Sequence, residues 1–355
     1  MKNTDEKFLL VYDETNNARK IYVDNGKFNV GDVGDFVLGG LALPPGYMEP
    51  PISELRTRMR LDAGIKDIKL RHIGKGRFLD LIDAKKMAPF LDWFLENELL
   101  IHFSHIDPFY WALADIVDSL LTFSFFEECI GYQYILKSDL FESLNQNQAQ
   151  CLDIIERYNF PDIRDEDIPS FFAEIIMLVE MSNAILPDRL DALLVFLNEA
   201  MRVESLPFLS FEDPGVRGML MDKFGAFYRH RLVLFKNSVH VLDEELEVKA
   251  FLENDIILSV FPEIDFKFVK SDDDSRVQIS DLIIGLLGKL FTDLGRFSLE
   301  EIVKQAAAIS AQGKTNLVTL DKIISRSESL TQAFHHHVCS GYKRNKFEKL
   351  LLEFK

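Results

Sequence analysis

The chain has 355 residues, 47% of them apolar, and a formal net charge of −17. That composition excludes a disordered chain and leaves room for one large core with an insertion, or for two domains. The acidic balance counts against a protein that grips nucleic acid by charge alone, since such proteins displace counterions with Lys and Arg. It still allows an enzyme with a local basic track and bound metal. Phe is unusually frequent, at 30 residues, and reads as core filling. Cys129, Cys151 and Cys339 match no zinc spacing and no disulfide framework, which fits a reducing compartment. The N-terminus carries no charged-then-apolar leader, and no apolar run reaches about 18 residues, so a cytoplasmic protein with no membrane partner is expected.

A first strand is expected at 7–12, KFLLVY, ending at Asp13-Glu14, with turn chemistry in Thr15-Asn16-Asn17. Strands at 19–23 and 35–43, separated by the Asp24-Asn25-Gly26 turn, complete an expected antiparallel meander. Helices follow near 52–63 and 78–97, around a basic irregular segment at 65–77, and 99–106 is a further strand. Segments 109–126, 130–156, 169–181, 187–203 and 216–235 carry apolar residues at helical spacing. The stretches 157–168 and 205–215 (with Pro207 and Pro214) read as loops. Strands resume at 238–242, leading into Asp243-Glu244-Glu245, and at 265–269.

The clearest helix spans 277–292, with Ile279, Leu282, Ile283, Leu286 and Leu287 on one face. Asp281, Gly285 and Gly288 form a second stripe. The two glycines would let this helix lie close against a sheet and bring Asp281 to the strand ends. The resulting organisation is α/β: residues 1–106 and 216–297 as two halves of one core, 107–215 as a helical insertion, and 298–355 as a helical tail.

Three acids stand out from apolar surroundings: Asp13, Asp243 and Asp281. Asp is disfavoured in strands and costly to bury unpaired. Carboxylates brought together repel, so one is protonated or a cation lies among them. Oxygen ligands suit Mg²⁺ or Mn²⁺. Two such ions about 4 Å apart could activate water and steady the leaving oxygen of a phosphodiester. The competing readings are a strand-ending turn at Asp13-Glu14, an exposed acidic turn at Asp243, and a helix-dipole carboxylate at Asp281. Asp272-Asp273-Asp274 reads as a turn capping the next helix.

Lys66, Lys69, Arg71, His72, Lys75 and Arg77 form either a phosphate-contacting track or a solvated loop. Arg217, Lys223, Arg229 and Arg231 do not share one helix face cleanly. His102 and His105, three apart on a strand, point to opposite faces. His335-His336-His337 reads as a helix-capping or solvated run, with chance metal binding as the other reading.

The segments VYDETNN, VHVLDEE and FVKSDDDSRVQISDLIIG resemble the signature segments of a bacterial family, domain of unknown function 3800. Members open with a strand ending in Asp-Glu-Ser/Thr-Gly and close with a Gln-x-x-Asp-Leu helix, here Gln278 to Leu282. Asn16 stands where the family has Gly, and Asn tolerates the same left-handed turn. The resemblance covers roughly 7–106 and 217–292. It implies a ribonuclease-H-like fold, with a mixed five-stranded sheet flanked by helices. It also implies an acidic triad of Asp13, Asp243 and Asp281 holding Mg²⁺ or Mn²⁺, with Glu14 beside the first as a catalytic residue. Lys69, His72 and Lys75 would contact substrate phosphates. The implied activity is hydrolysis of RNA or DNA, in a mobile-element or phage-defence setting. The alternative is a non-catalytic acidic interaction protein that kept the fold. The insertion is an expected homodimer surface.

Overall fold

The computed structural model describes every residue except 1–2, 19, 31–33, 48, 207–218, 223 and 355. Pro207, Pro214, Arg217 and Lys223 lie outside the described residues. The strands in chain order are β1 (Leu9–Thr15), β2 (Lys20–Asp24), β3 (Lys27–Phe28), β4 (Phe36–Leu43), β5 (Leu100–Ile106), β6 (Met219–Asp222), β7 (Val239–Asp243), β8 (Asp265–Val269) and β9 (His335–Val338).

Six of these form one mixed sheet in the order β8-β7-β1-β4-β5-β9. β4 is antiparallel to both β1 and β5, β7 and β8 continue parallel to β1, and β9 lies parallel to β5. Strand alternation divides the core. Leu10, Tyr12, Phe36, Leu38 and Leu242 face a helical layer built largely from 108–200 and the Gly225–Leu234 helix. Val11, Val37, Leu41 and Val241 face the Ser275–Arg296 helix and its neighbours. The Phe excess does fill these two cores: Phe36, Phe78, Phe90, Phe94, Phe103, Phe171 and Phe172 are fully buried.

The structure corrects the expected strands in three places. The meander does not include β2, which pairs with β3 and β6 in a separate three-stranded sheet. β1 and β4 are apolar on both sides, as central strands must be. β2 buries Ile21 and Val23 but leaves Lys20 and Asp24 exposed, so it suits a sheet covered on one face. Asn16, with φ 57°, turns the chain out of the main sheet, and Asn25-Gly26 forms the two-residue β2–β3 turn. The segment expected as a helix over 216–235 contains β6 before its helix starts at Gly225. The tail is not wholly helical. His335-His336-His337 neither caps a helix nor lies in solvent; it forms β9 and pairs the edge of β5, giving six strands rather than five.

The remaining helices fall on the expected spans but break two of them: 78–97 divides into Phe78–Ile82 and Met87–Glu96, and 130–156 into Gln133–Gln146 and Gln148–Arg157, while the helix expected at 52–63 stops at Arg58 and that at 109–126 stops at Leu120. Pro108–Leu120 leads off β5, with Asp107 as its N-cap, and Gln133–Gln146, Gln148–Arg157, Ile168–Glu180 and Pro187–Ala200 follow. No described helix is long and apolar enough to cross a membrane.

Candidate metal centre

β1 runs three residues further than expected, through Asp13 and Glu14 to Thr15, and pairs Asp13 with Gly39 of β4. Alternation then fixes both acids. Asp13 shares the face of Val11, and Glu14 shares that of Tyr12. On the other side of β1, Val11 is partnered by Val241 and Tyr12 by Leu242. Asp243 therefore ends β7 at the level of Asp13 and on the same face. Two carboxylates meet at the carboxyl ends of two adjacent parallel strands, where open α/β sheets bind ligands.

The third acid arrives on the Ser275–Arg296 helix. Ser280 Oγ accepts the Leu41 N–H at 3.2 Å. A Cβ on Gly40 would collide with Ser280, and one on Gly288 would collide with Thr15 of β1. The close approach expected from the glycine stripe thus holds at Gly288, whereas Gly285 faces Leu70. The helix begins at Ser275, capped by Asp274 as the acidic turn suggested. Asp281 is consequently two turns in, beyond the reach of the helix dipole, which fades within the first turn.

Gln278 ties two loops to this corner. Its Oε1 accepts the Ile68 N–H at 3.2 Å, and its Nε2 donates to Ser271 O at 2.9 Å. The first contact draws in the 65–77 segment, including Asp67 and Lys69. The second holds the turn whose Ser271 amide donates to Asp243. Lys69 Nζ lies 3.2 Å from an oxygen of Asp67 and 3.2 Å from Asp281 Oδ2. The Asp281 contact is close enough for ion pairing but outside hydrogen-bond geometry. Asp281 Oδ2 and Asp67 Oδ1 are both buried without a hydrogen-bond partner.

The electrostatics follow from this crowding. Burial, then the charges of Asp281, Glu14 and Asp243, hold the Asp13 carboxyl well above the usual carboxylate range. Burial also raises Asp243 and Asp281, with Lys69 opposing the shift in both. A divalent cation would relieve all three at once. The donor set is all oxygen, which fits Mg²⁺ or Mn²⁺ rather than zinc. The fit has a limit. Among the described residues, the only three His, Cys, Asp or Glu ligand atoms mutually within 4.8 Å belong to His105, His337 and Cys339. The acids are thus close enough to repel but are not drawn into one tight ligand set.

The other expected site residues divide. Glu14 projects to the opposite face from Asp13, where Tyr228 donates to its Oε2 at 2.8 Å. His72 Nδ1 accepts the Lys69 N–H at 2.9 Å, and Lys75 is exposed. Arg229 pairs with Asp255 at 2.9 Å, and buried Arg231 donates to Ala333 O, so neither extends a phosphate track. Asp67 escaped the sequence reading, since a single acid in a basic loop looks like local charge balance. Tyr228 carried no signal at all. The chain matches no protein-family profile, no curated protein and no solved structure.

Proposed function

We infer that this chain is a metal-dependent nuclease of ribonuclease-H-like fold, akin to the domain of unknown function 3800 family, that hydrolyses phosphodiester bonds of RNA or DNA. One observation carries the reading. Asp13, Asp243 and Asp281 converge on one face at the carboxyl ends of β1 and β7, beside a buried Asp67 oxygen without a hydrogen-bond partner and an Asp281 oxygen that faces the Lys69 ammonium. The strand order β8-β7-β1-β4-β5 supports it, because it supplies the mixed five-stranded sheet that the resemblance implies.

Asp13, Asp243 and Asp281 would supply the oxygen ligands. Bound Mg²⁺ or Mn²⁺ supplies an activated water and charge stabilisation at the leaving oxygen. Lys69 contacts Asp281, His72 accepts the Lys69 N–H and Lys75 is exposed on the same loop, which offers basic groups suited to phosphate. Glu14, held by Tyr228 on the far side of β1, shapes the field at Asp13 instead of ligating beside it.

A second reading has its own observation. Lys69 already neutralises Asp67 and Asp281. A chain in which lysine replaces the ion permanently would be a non-catalytic acidic interaction protein.

Calorimetric titration of Mn²⁺ into wild type and into Asp13→Asn, Asp243→Asn and Asp281→Asn separates the two. Binding lost in all three variants, with metal-dependent cleavage of labelled RNA or DNA by wild type alone, is the expected result. Absence of Mn²⁺ binding to wild type favours the second reading.

A further inference from the structure

At the opposite edge of the main sheet, β9 brings a second set of donors together. His105 of β5 and His337 of β9 are register partners in a parallel pair, so their side chains share one face. Their Nδ1 atoms are 3.2 Å apart. Cys339, just past β9, adds its Sγ, and the three ligand atoms lie within 4.8 Å of one another. We propose that His105, His337 and Cys339 bind one zinc ion, which pins β9 and the Gly341–Leu352 helix to the sheet.

Three observations support this beyond the cluster itself. The first is the donor spacing. Two imidazole nitrogens about 2.0–2.1 Å from a tetrahedral zinc stand roughly 3.4 Å apart, so the 3.2 Å pair already approximates one edge of the site. The second is the supporting carboxylate. His105 Nε2 lies 2.5 Å from Asp35 Oδ2. Asp35 in turn accepts from Lys343 Nζ, which also pairs with Asp107. With Nε2–H given to Asp35, the His105 Nδ1 lone pair is left for an ion, the arrangement typical of metal-bound histidines. The third is the path: His337 and Cys339 themselves line a cavity of about 860 Å³ through which an ion and water can enter. Imidazole and thiolate donors select zinc over the oxygen-loving ions suited to the acidic corner. A fourth position falls to water.

The site was invisible to cysteine spacing, because its ligands come from two strands more than two hundred residues apart.

The test is Co²⁺ added to the metal-free full chain, read by absorption. Wild type and Asp13→Asn are both expected to give a thiolate-to-cobalt charge-transfer band with tetrahedral visible bands. Cys339→Ala is expected to lose that band while keeping its circular dichroism. X-ray absorption at the zinc edge of the zinc-loaded wild type, which needs no variant, is expected to show one sulfur among otherwise light donors. A sulfur-free shell, no charge-transfer band in wild type, or a band that survives in folded Cys339→Ala overturns the proposal. None of these readings depends on the acidic corner being active.

Discussion

The Ser280 hydroxyl accepts the Leu41 amide at 3.2 Å across a gap that only a glycine at position 40 leaves open. That contact sets the depth at which Asp281 meets Asp13. Gly40→Ala would drive a methyl into Ser280 and hold a non-glycine residue at φ 153°. Overpacking and backbone strain each cost about 1–3 kcal/mol. Urea unfolding should show a loss of at least about 2 kcal/mol, and metal binding should weaken with it.

Asp13→Asn removes one of the mutually repelling buried charges. The metal-free variant should melt higher than wild type, by on the order of 1 kcal/mol of stability. Added Mn²⁺ should then stabilise wild type and leave the variant unchanged. Differential scanning fluorimetry with and without Mn²⁺ measures both effects. A metal-free variant less stable than wild type would mean that the acids are not strained against each other.

Lys69→Met leaves Asp67 and Asp281 without their cation. Lys69 is part-exposed, so the loss is modest, about 1 kcal/mol in the metal-free protein. Its more telling effect is on affinity. With the resident ammonium gone, Mn²⁺ should bind more tightly, as calorimetry would detect. Weaker binding would show that Lys69 helps to build the site.

Acid should destabilise the core on the other face of the sheet through His240. Tyr12 Oη lies 2.9 Å from its Nδ1, and Nε2 lies 3.1 Å from Phe235 O. Burial, with Arg231 adding to it, pushes the imidazole down to about 4 from 6.5. Between those values the unfolded chain binds a proton that the folded chain refuses. Stability therefore falls as pH drops from 6.5 toward 4, by about 3 kcal/mol from this group. His240→Gln, which keeps an acceptor and a donor, should show a correspondingly flatter pH profile in denaturant titrations.

Much of the acidic corner was legible because its residues contradict their neighbours. An Asp after five apolar strand residues, and another inside an apolar helix, are conspicuous, and Asn16 advertised the left-handed turn it makes. The direction of Glu14 was not legible. It depends on β1 continuing three residues past its apolar run, and the pairing with β4 decides that. β9 was hidden for a related reason. Three histidines look polar in sequence, yet neutral imidazoles tolerate a half-buried strand, and the open edge of β5 supplies a backbone partner. Asp67 and Tyr228 reach the corner through loop and helix placements that no local pattern encodes.

β1 sits in the middle of the main sheet, yet one of its two neighbours, β7, is made more than two hundred residues later. At about 5–20 residues per second, a ribosome needs on the order of ten seconds or more to cover that distance. Throughout that interval the nascent chain can carry Asp13 but neither Asp243 nor Asp281. The corner therefore cannot assemble, or offer its three carboxylates to any ligand, until synthesis is mostly complete. The topology thus delays the site to the last part of the chain's synthesis.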